Sequence, residues 1–348
     1  MVLGKLGSKM NKNKVQNVIV VGGGTAGWMT SSLLAKVLGK TLNITLVESD
    51  KIGIVGVGEA TIPPIVNFNS AIGIDEKEFL KATKGTIKLG IDFKNWNEDG
   101  ESYMHAFGNI GKKFPFCDFH HFWQKTQQLE HGSNNIDSNS FWDYSLNYQA
   151  AKHGKFAPIN NIPNTNLPGL AYAYHFDAGL YAKFLRKHAE GMGVKRIEGT
   201  ITQVNQNHNS GFIESLQLED GTVIEGDLFI DCTGSASLLL GKHFNVKFIN
   251  KQHILFNDSA LAVQVPYPTQ ESPINSATLS TAQSAGWIWD IGLQTRRGVG
   301  YTYSSRHTSD AEAEQTLKKY LESSIGEEQA NLLKPRKIQF EPGHRERF

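Results

Sequence analysis

The stretch Asn17–Leu38, NVIVVGGGTAGWMTSSLLAKVL, decides the fold. Its apolar start, Asn17–Val21, runs into three glycines and reads as a buried parallel strand. A helix follows. Met29, Leu33 and Val37 recur every fourth residue, Leu34 and Leu38 widen the stripe, and Gly39 supplies the stop, so this face is expected to be the buried one. Asn43–Glu48, NITLVE, is a second buried strand, which completes a βαβ unit. Gly22, Gly24 and Gly27 stand in GxGxxG spacing between strand and helix, with Thr25 and Ala26 opening the helix. The first glycine allows a tight turn, the second lets a pyrophosphate reach the backbone, and the third lets the helix pack on the strand. The first helical N–H groups then face the phosphates. Glu48, ending the second strand, is placed to accept hydrogen bonds from a ribose. A glycine turn kept only for packing would carry the same spacing; the strand, helix and acid together favour a dinucleotide.

Outward from this unit, 348 residues can hold one large or two average domains. With 39% hydrophobic residues, 20% charged residues and a formal net charge of +1, charge gives no reason to expect nucleic acid or an anionic membrane as partner. The histidines are scattered without metal-ligand spacing, so no metal site is expected. Cys117 and Cys232 lie far apart, which fits a reducing compartment and not a disulfide framework. Residues 1–14 read as a disordered basic tail without the apolar core of a signal peptide. No apolar run reaches membrane-span length. The expectation is a soluble, cytoplasmic protein, with a homodimer allowed.

Further along, GIVGVGEATIPPI (53–65) is punctuated by Gly and Pro and reads as an irregular loop. Asp75 with Glu78 resembles a capping pair for a helix through Phe79 and Leu80. Thr86–Trp96 alternates as one strand: Ile87, Leu89, Ile91 and Phe93 on one face, Lys88, Gly90, Asp92, Lys94 and Trp96 on the other. From about 97 to 170 the chain reads as a loop-dominated insertion covering a site. Asp177 caps a helix to His188, closed by Gly191 and Gly193. Residues 195–225 form an antiparallel meander with a turn at Glu219-Asp220-Gly221. Asp227–Gly234, DLFIDCTG, returns as a buried strand. In GWIWDIG (286–292), Trp287, Trp289 and Ile291 share one strand face while Ile288 and Asp290 share the other, with GVGYTYSS (298–305) as a neighbouring strand. Ser309 with Glu312 makes a capping box for a helix through Leu321.

A compact NAD domain would continue promptly with further βαβ units. Here an insertion and a meander intervene before DLFIDCTG, a layout that favours FAD. The expected class is α/β, an FAD-binding Rossmann-like fold of the glutathione-reductase or aromatic-hydroxylase type with a mixed sheet and an antiparallel meander.

Three stretches then carry a family resemblance: GGGTAGW (22–28), GVGEATIP (56–63) and GWIWDIG (286–292), the last with Gly292 where a WxWxIP signature has proline. YHFDAGLYAKFLR (174–186), GDLFIDCTG (226–234) and GYTYSSR (300–306) add weaker matches. From residue 15 onward the sequence resembles the flavin-dependent halogenases of the tryptophan halogenase type. The resemblance implies FAD, supplied as FADH2 by a separate flavin reductase, with O2 and chloride or bromide. Hypohalous acid formed beside the flavin would pass to a lysine that halogenates an electron-rich aromatic such as an indole. That lysine matches Lys88. A strand lysine on a wetted face would show the same parity, and the resemblance is what favours the catalytic reading. The resemblance also places Gly58, Glu59, Ala60, Thr61, Asp231 and Gly234 beside the flavin, and Ile62 and Pro63 on the strap toward the substrate. His105 and Phe107 would line the substrate pocket, and Trp287 and Trp289 would separate substrate from flavin.

Members of the family continue past the point matched by the end of this chain, through a halide loop, a catalytic glutamate and a helical region. The residues 15–348 are therefore expected to be an incomplete halogenase domain, a fragment or a shortened homologue, with weak FAD binding and little or no activity alone. An FAD-dependent aromatic hydroxylase and a non-catalytic flavin-binding homologue remain the alternatives.

Overall fold

In the computed structural model, residues 14–53, 58–130 and 140–347 are described. The expected tail lies outside them up to residue 13, as do Gly56 and Val57 of the GVGEATIP loop. The chain divides into two units: the described parts of 1–55, 182–248 and 345–348, and those of 56–181 and 249–344.

The first unit carries the βαβ motif. Its four-stranded sheet is parallel throughout, in the order Leu228–Asp231, Asn17–Val21, Asn43–Glu48, Lys195–Glu198. Alternation gives Asn17–Val21 two buried faces. Ile19 and Val21 join Val47, Leu216, Leu218 and Ile224 in a core beneath the antiparallel meander Ile201–Gln206, Ile213–Leu218, Val223–Glu225. Lys195–Glu198 was expected in the meander but pairs with Asn43–Glu48 instead. Leu228–Asp231 is an outer strand and only half-buried, so the expectation of a fully buried strand is also corrected.

The helix Thr25–Leu38 buries Gly27, Trp28, Ser31, Ser32 and Ala35. The expected stripe is not the buried face: Leu33 and Val37 are 40% and 68% exposed. The reason is proximity. An added Cβ on Gly27 would collide with the Gly22 carbonyl, so the helix packs closely through Gly27, and the same side continues through Ser31 and Ala35 with Trp28 buried beside them.

The second unit is built on a mixed seven-stranded sheet in the order Arg336–Gln339, Ser259–Pro266, Arg296–Tyr303, Gly286–Gly292, Ala277–Gln283, Gly90–Lys94, Ser102–Ala106. Among the described residues of this sheet, only Ala277–Gln283 and Gly90–Lys94 pair in parallel. Ile288 packs with Leu261, Val263, Val299 and Tyr301 against Leu317 and Leu321 of the helix Asp310–Ile325, whose Ser309–Glu312 capping box forms as expected. A second small sheet pairs Glu59–Ala60, Ala173–Phe176 and Thr86–Lys88. The Asp75 cap opens the helix Glu76–Thr83, and Asp177 opens Ala178–Gly191, three residues longer than expected.

Thr86–Trp96 is not one strand. Thr86–Lys88 and Gly90–Lys94 belong to different sheets and part at Leu89. The stretch 97–170 is likewise more than loop: it holds Ser102–Ala106, the helices Phe119–Glu130 and Leu146–Lys152, and a 3-10 turn at Phe141–Tyr144. The loop through Ile65 ends early, because Pro64 opens a helix to Ile72; proline at a first helical position has no N–H to lose. Among the described residues no helix is long and apolar enough to cross a membrane.

Candidate functional site

In the first unit, neighbouring parallel strands converge on the glycine turn. Gly22 N donates to Val47 O at 2.8 Å, and Cys232 N donates to Val21 O at 2.8 Å. Gly22 sits at φ 109°, where a side chain is strained and would collide with Cys232 O. Gly24 differs: a Cβ there would meet no atom within 4 Å. The helix begins at Thr25 and Ala26 with no side-chain cap and no acid in its first turn. Bare helical N–H groups behind a glycine with room for a neighbour fit the pyrophosphate of FAD.

Glu48 lies against Gly23, and its Oε1 accepts from Arg196 Nε at 2.6 Å, with Arg186 3.8 Å away. Arg196 also reaches Asp50 at 2.7 Å. The Asp231 carboxylate accepts from Thr233 N and Oγ1, Leu239 N and Leu240 N, which pins the turn through Gly234. Sequence reasoning missed Arg196, because the strand that carries it was read as meander.

In the second unit, Gly58 at φ 131° approaches Gly298, where an added Cβ would lie 3.6 Å from its Cα. Glu59 and Ala60 pair with Phe176 and His175, and Thr61 Oγ1 donates to Tyr174 O at 2.8 Å. Ile62 is exposed, and the half-buried Pro63 precedes the helix Pro64–Ile72.

Lys88 is the last residue of Thr86–Lys88 and is 3% exposed. Leu89 beyond it anchors the bend. Its N–H donates to Ser276 O at 2.6 Å, and its carbonyl accepts from Phe107 N at 2.8 Å and Asn147 Nδ2 at 3.3 Å. Leu89 packs with Met104, Ala106 and Ala277, while Ile87 borders the same cluster. Lys88 itself lies inside the protein, outside that apolar cluster. Its Nζ stands 5.5 Å from the centroid of the buried Phe107 ring and makes no hydrogen bond or ion pair among the described residues. Burial lowers its pKa to about 8. His105, expected beside Phe107, is exposed instead, since alternation along Ser102–Ala106 turns it away from Met104 and Ala106.

Trp287 and Trp289 are half-buried and meet edge-to-face, with centroids 6.2 Å apart. The ring of Trp289 lies over Gly300 so closely that any side chain there would overlap it. Trp96 extends the pair, 6.3 Å from Trp287, its Nε1 donating to Ser280 O at 2.9 Å. Nothing in the local sequence pointed to Trp96 as a neighbour of these two.

His175 is fully buried two pairs along from Lys88, opposite Thr86. Burial, and then the charge of Lys88, push its pKa down to about 3. Its Nε2 lies 2.9 Å from Thr278 Oγ1 and its Nδ1 3.4 Å from Thr86 Oγ1. The sequence offered YHFDAG as a match without a role for this residue.

The chain is 35% identical to tryptophan 6-halogenase SttH of Streptomyces toxytricini, across 94% of this chain and 64% of that protein. It is 36% identical to tryptophan 7-halogenase RebH of Lentzea aerocolonigenes, across 86% of this chain and 58% of that one. Among solved structures, Xcc4156, a flavin-dependent halogenase from Xanthomonas campestris, superposes with a TM-score of 0.85 at 45% identity. That match covers 96% of this chain and 63% of the other. The chain thus spans about three fifths of the length of these relatives. It shares the FAD-binding Rossmann-like fold of flavin-dependent halogenases. Since the tryptophan halogenase family model matches residues 17–348, the chain belongs to that family.

Proposed function

We propose that this chain forms the cofactor-binding and lysine-bearing part of a flavin-dependent halogenase acting on an electron-rich aromatic substrate, an indole or tryptophan-like ring. One observation carries the reading: a lysine almost wholly buried, without a hydrogen-bonding partner among the described residues, and facing an aromatic ring. When bound, reduced FAD supplies the two electrons that convert O2 and halide into hypohalous acid and water. A separate flavin reductase delivers it. Gly22, Gly24, Gly27 and the helix start at Thr25 hold its phosphates.

The chemistry of Lys88 follows from its surroundings. An ordinary lysine has a pKa of about 10.4, so roughly one amine in 2,500 is neutral at pH 7. Lowered to about 8, about a tenth of the Lys88 amine is neutral at that pH, roughly two hundred times more. The neutral amine receives halogen from hypohalous acid with loss of water, or holds the acid by a hydrogen bond. It passes the halogen to the aromatic ring and regains the hydrogen that the ring releases. Phe107 beside the amine offers a flat apolar surface for such a ring.

The test supplies a protein carrying this chain with reduced FAD, O2, bromide and indole. A brominated indole is expected, and Lys88→Ala should abolish bromination while flavin reoxidation persists. Undiminished bromination by Lys88→Ala would reject the role of the lysine. A hydroxylated product would favour the hydroxylase alternative.

A further inference from the structure

Four polar groups from distant parts of the second unit meet behind Lys88. Thr86 Oγ1 donates to Gly292 O at 2.6 Å. A threonine hydroxyl carries one hydrogen, so toward His175 Nδ1, 3.4 Å away, Thr86 can only accept. Nδ1 therefore bears the imidazole hydrogen. In a neutral ring Nε2 is then an acceptor, and Thr278 Oγ1 donates to it at 2.9 Å. The direction is set throughout: Thr278 to His175, His175 to Thr86, Thr86 to the carbonyl that ends the tryptophan strand Gly286–Gly292.

We propose that His175 is a positioning residue for Lys88: locked in one tautomer, it fixes the lysine strand to the end of the tryptophan strand and leaves the amine no imidazole lone pair to bond. This deepens the assignment of Lys88 and rests on it. Thr86 and Lys88 share a face of one short strand, and His175 sits opposite Thr86 in register. Holding Thr86 therefore holds the residue two positions on. Both ring nitrogens are spent on hydroxyls, so the ring stands beside the lysine as a neutral wall. A carboxylate or a free imidazole nitrogen there would pair with the ammonium and keep it charged. The hydroxyls of Thr278 and Thr86 prevent that by occupying the histidine.

Two measurements on the whole chain test this. Long-range imidazole 15N–1H correlation at pH 7 should show His175 neutral, with hydrogen on Nδ1. A ring carrying hydrogen on Nε2 alone, or on both nitrogens, would overturn the proposal without any variant. In parallel, the rate of Lys88 modification by a small acylating reagent, followed by mass spectrometry across pH, reports its titration. Thr278→Val should move the half-maximal rate upward by roughly one pH unit, a tenfold lower rate at pH 7, and Thr278→Ser should restore it. His175→Phe, which keeps a ring but offers the amine no nitrogen, should titrate as wild type and should cancel the upward shift when combined with Thr278→Val. Wild-type titration in Thr278→Val, or an upward shift that persists in the double variant with His175→Phe, would sink the positioning role and leave the lysine assignment standing. Titration of wild-type Lys88 near the ordinary lysine value would reject the lysine assignment itself.

Discussion

At the scale of single residues, burying Lys88 has a thermodynamic signature. Its folded pKa of about 8 lies below the ordinary 10.5 of an unfolded chain. Between those values the unfolded chain binds the extra proton, so stability rises as pH climbs from about 8 to 10.5. Below pH 8 the burial penalty is complete, about 3 kcal/mol at 1.36 kcal/mol per pKa unit. Lys88→Met is therefore expected to stabilise the chain at pH 7 and to flatten that rise. Urea unfolding at pH 7 and pH 10 checks both effects. The glycine turn gives a second contrast. Gly27→Ala drives a methyl into the Gly22 carbonyl and should cost about 1–3 kcal/mol or more. Gly24→Ala meets no protein atom within 4 Å, so the fold should be unchanged while FAD affinity falls at least about tenfold. Thermal melts beside flavin fluorescence titrations separate the two. A Gly24→Ala chain that binds FAD normally would remove Gly24 from the phosphate site.

At the scale of elements, the tryptophan strand depends on its neighbour. Trp289 lies over Gly300 of Arg296–Tyr303, a position where any Cβ overlaps the indole. Gly300→Ala should displace that ring, cost about 1–3 kcal/mol and shift tryptophan emission to the red. Unchanged emission and stability would show that the indole does not rest where this packing puts it. The bend at Leu89 is the other decisive element. Alternation in TIKLGIDFKNW read the run as one strand. It could not reveal that the run serves two sheets. Gly90 allows the change, since a Cβ there would press on His105 O, Met104 Cε and Ala106 Cα.

At the scale of the whole molecule, the parallel sheet with its glycine turn belongs to one unit of the chain, and the mixed sheet and the small sheet that carries Lys88 belong to the other. FAD held at the glycine turn should stabilise the native protein by mass action. At one hundred times Kd the gain is about 2.7 kcal/mol, read as a concentration-dependent rise in thermal midpoint. A midpoint insensitive to FAD would count against cofactor binding by this chain.

The sequence alone determined what depends on neighbours within a few residues. The βαβ motif, the caps at Asp75, Asp177 and Ser309, and the three family stretches were all legible there. Contacts between residues far apart in the chain were decided only by the tertiary structure. Arg196 on Glu48, Gly300 beneath Trp289, and His175 between Thr278 and Thr86 join positions that no periodicity connects. The helix Thr25–Leu38 shows the reason most plainly. Its apolar stripe was readable, but which face is buried depends on how closely the backbone approaches the sheet, and that distance belongs to the folded pair of elements.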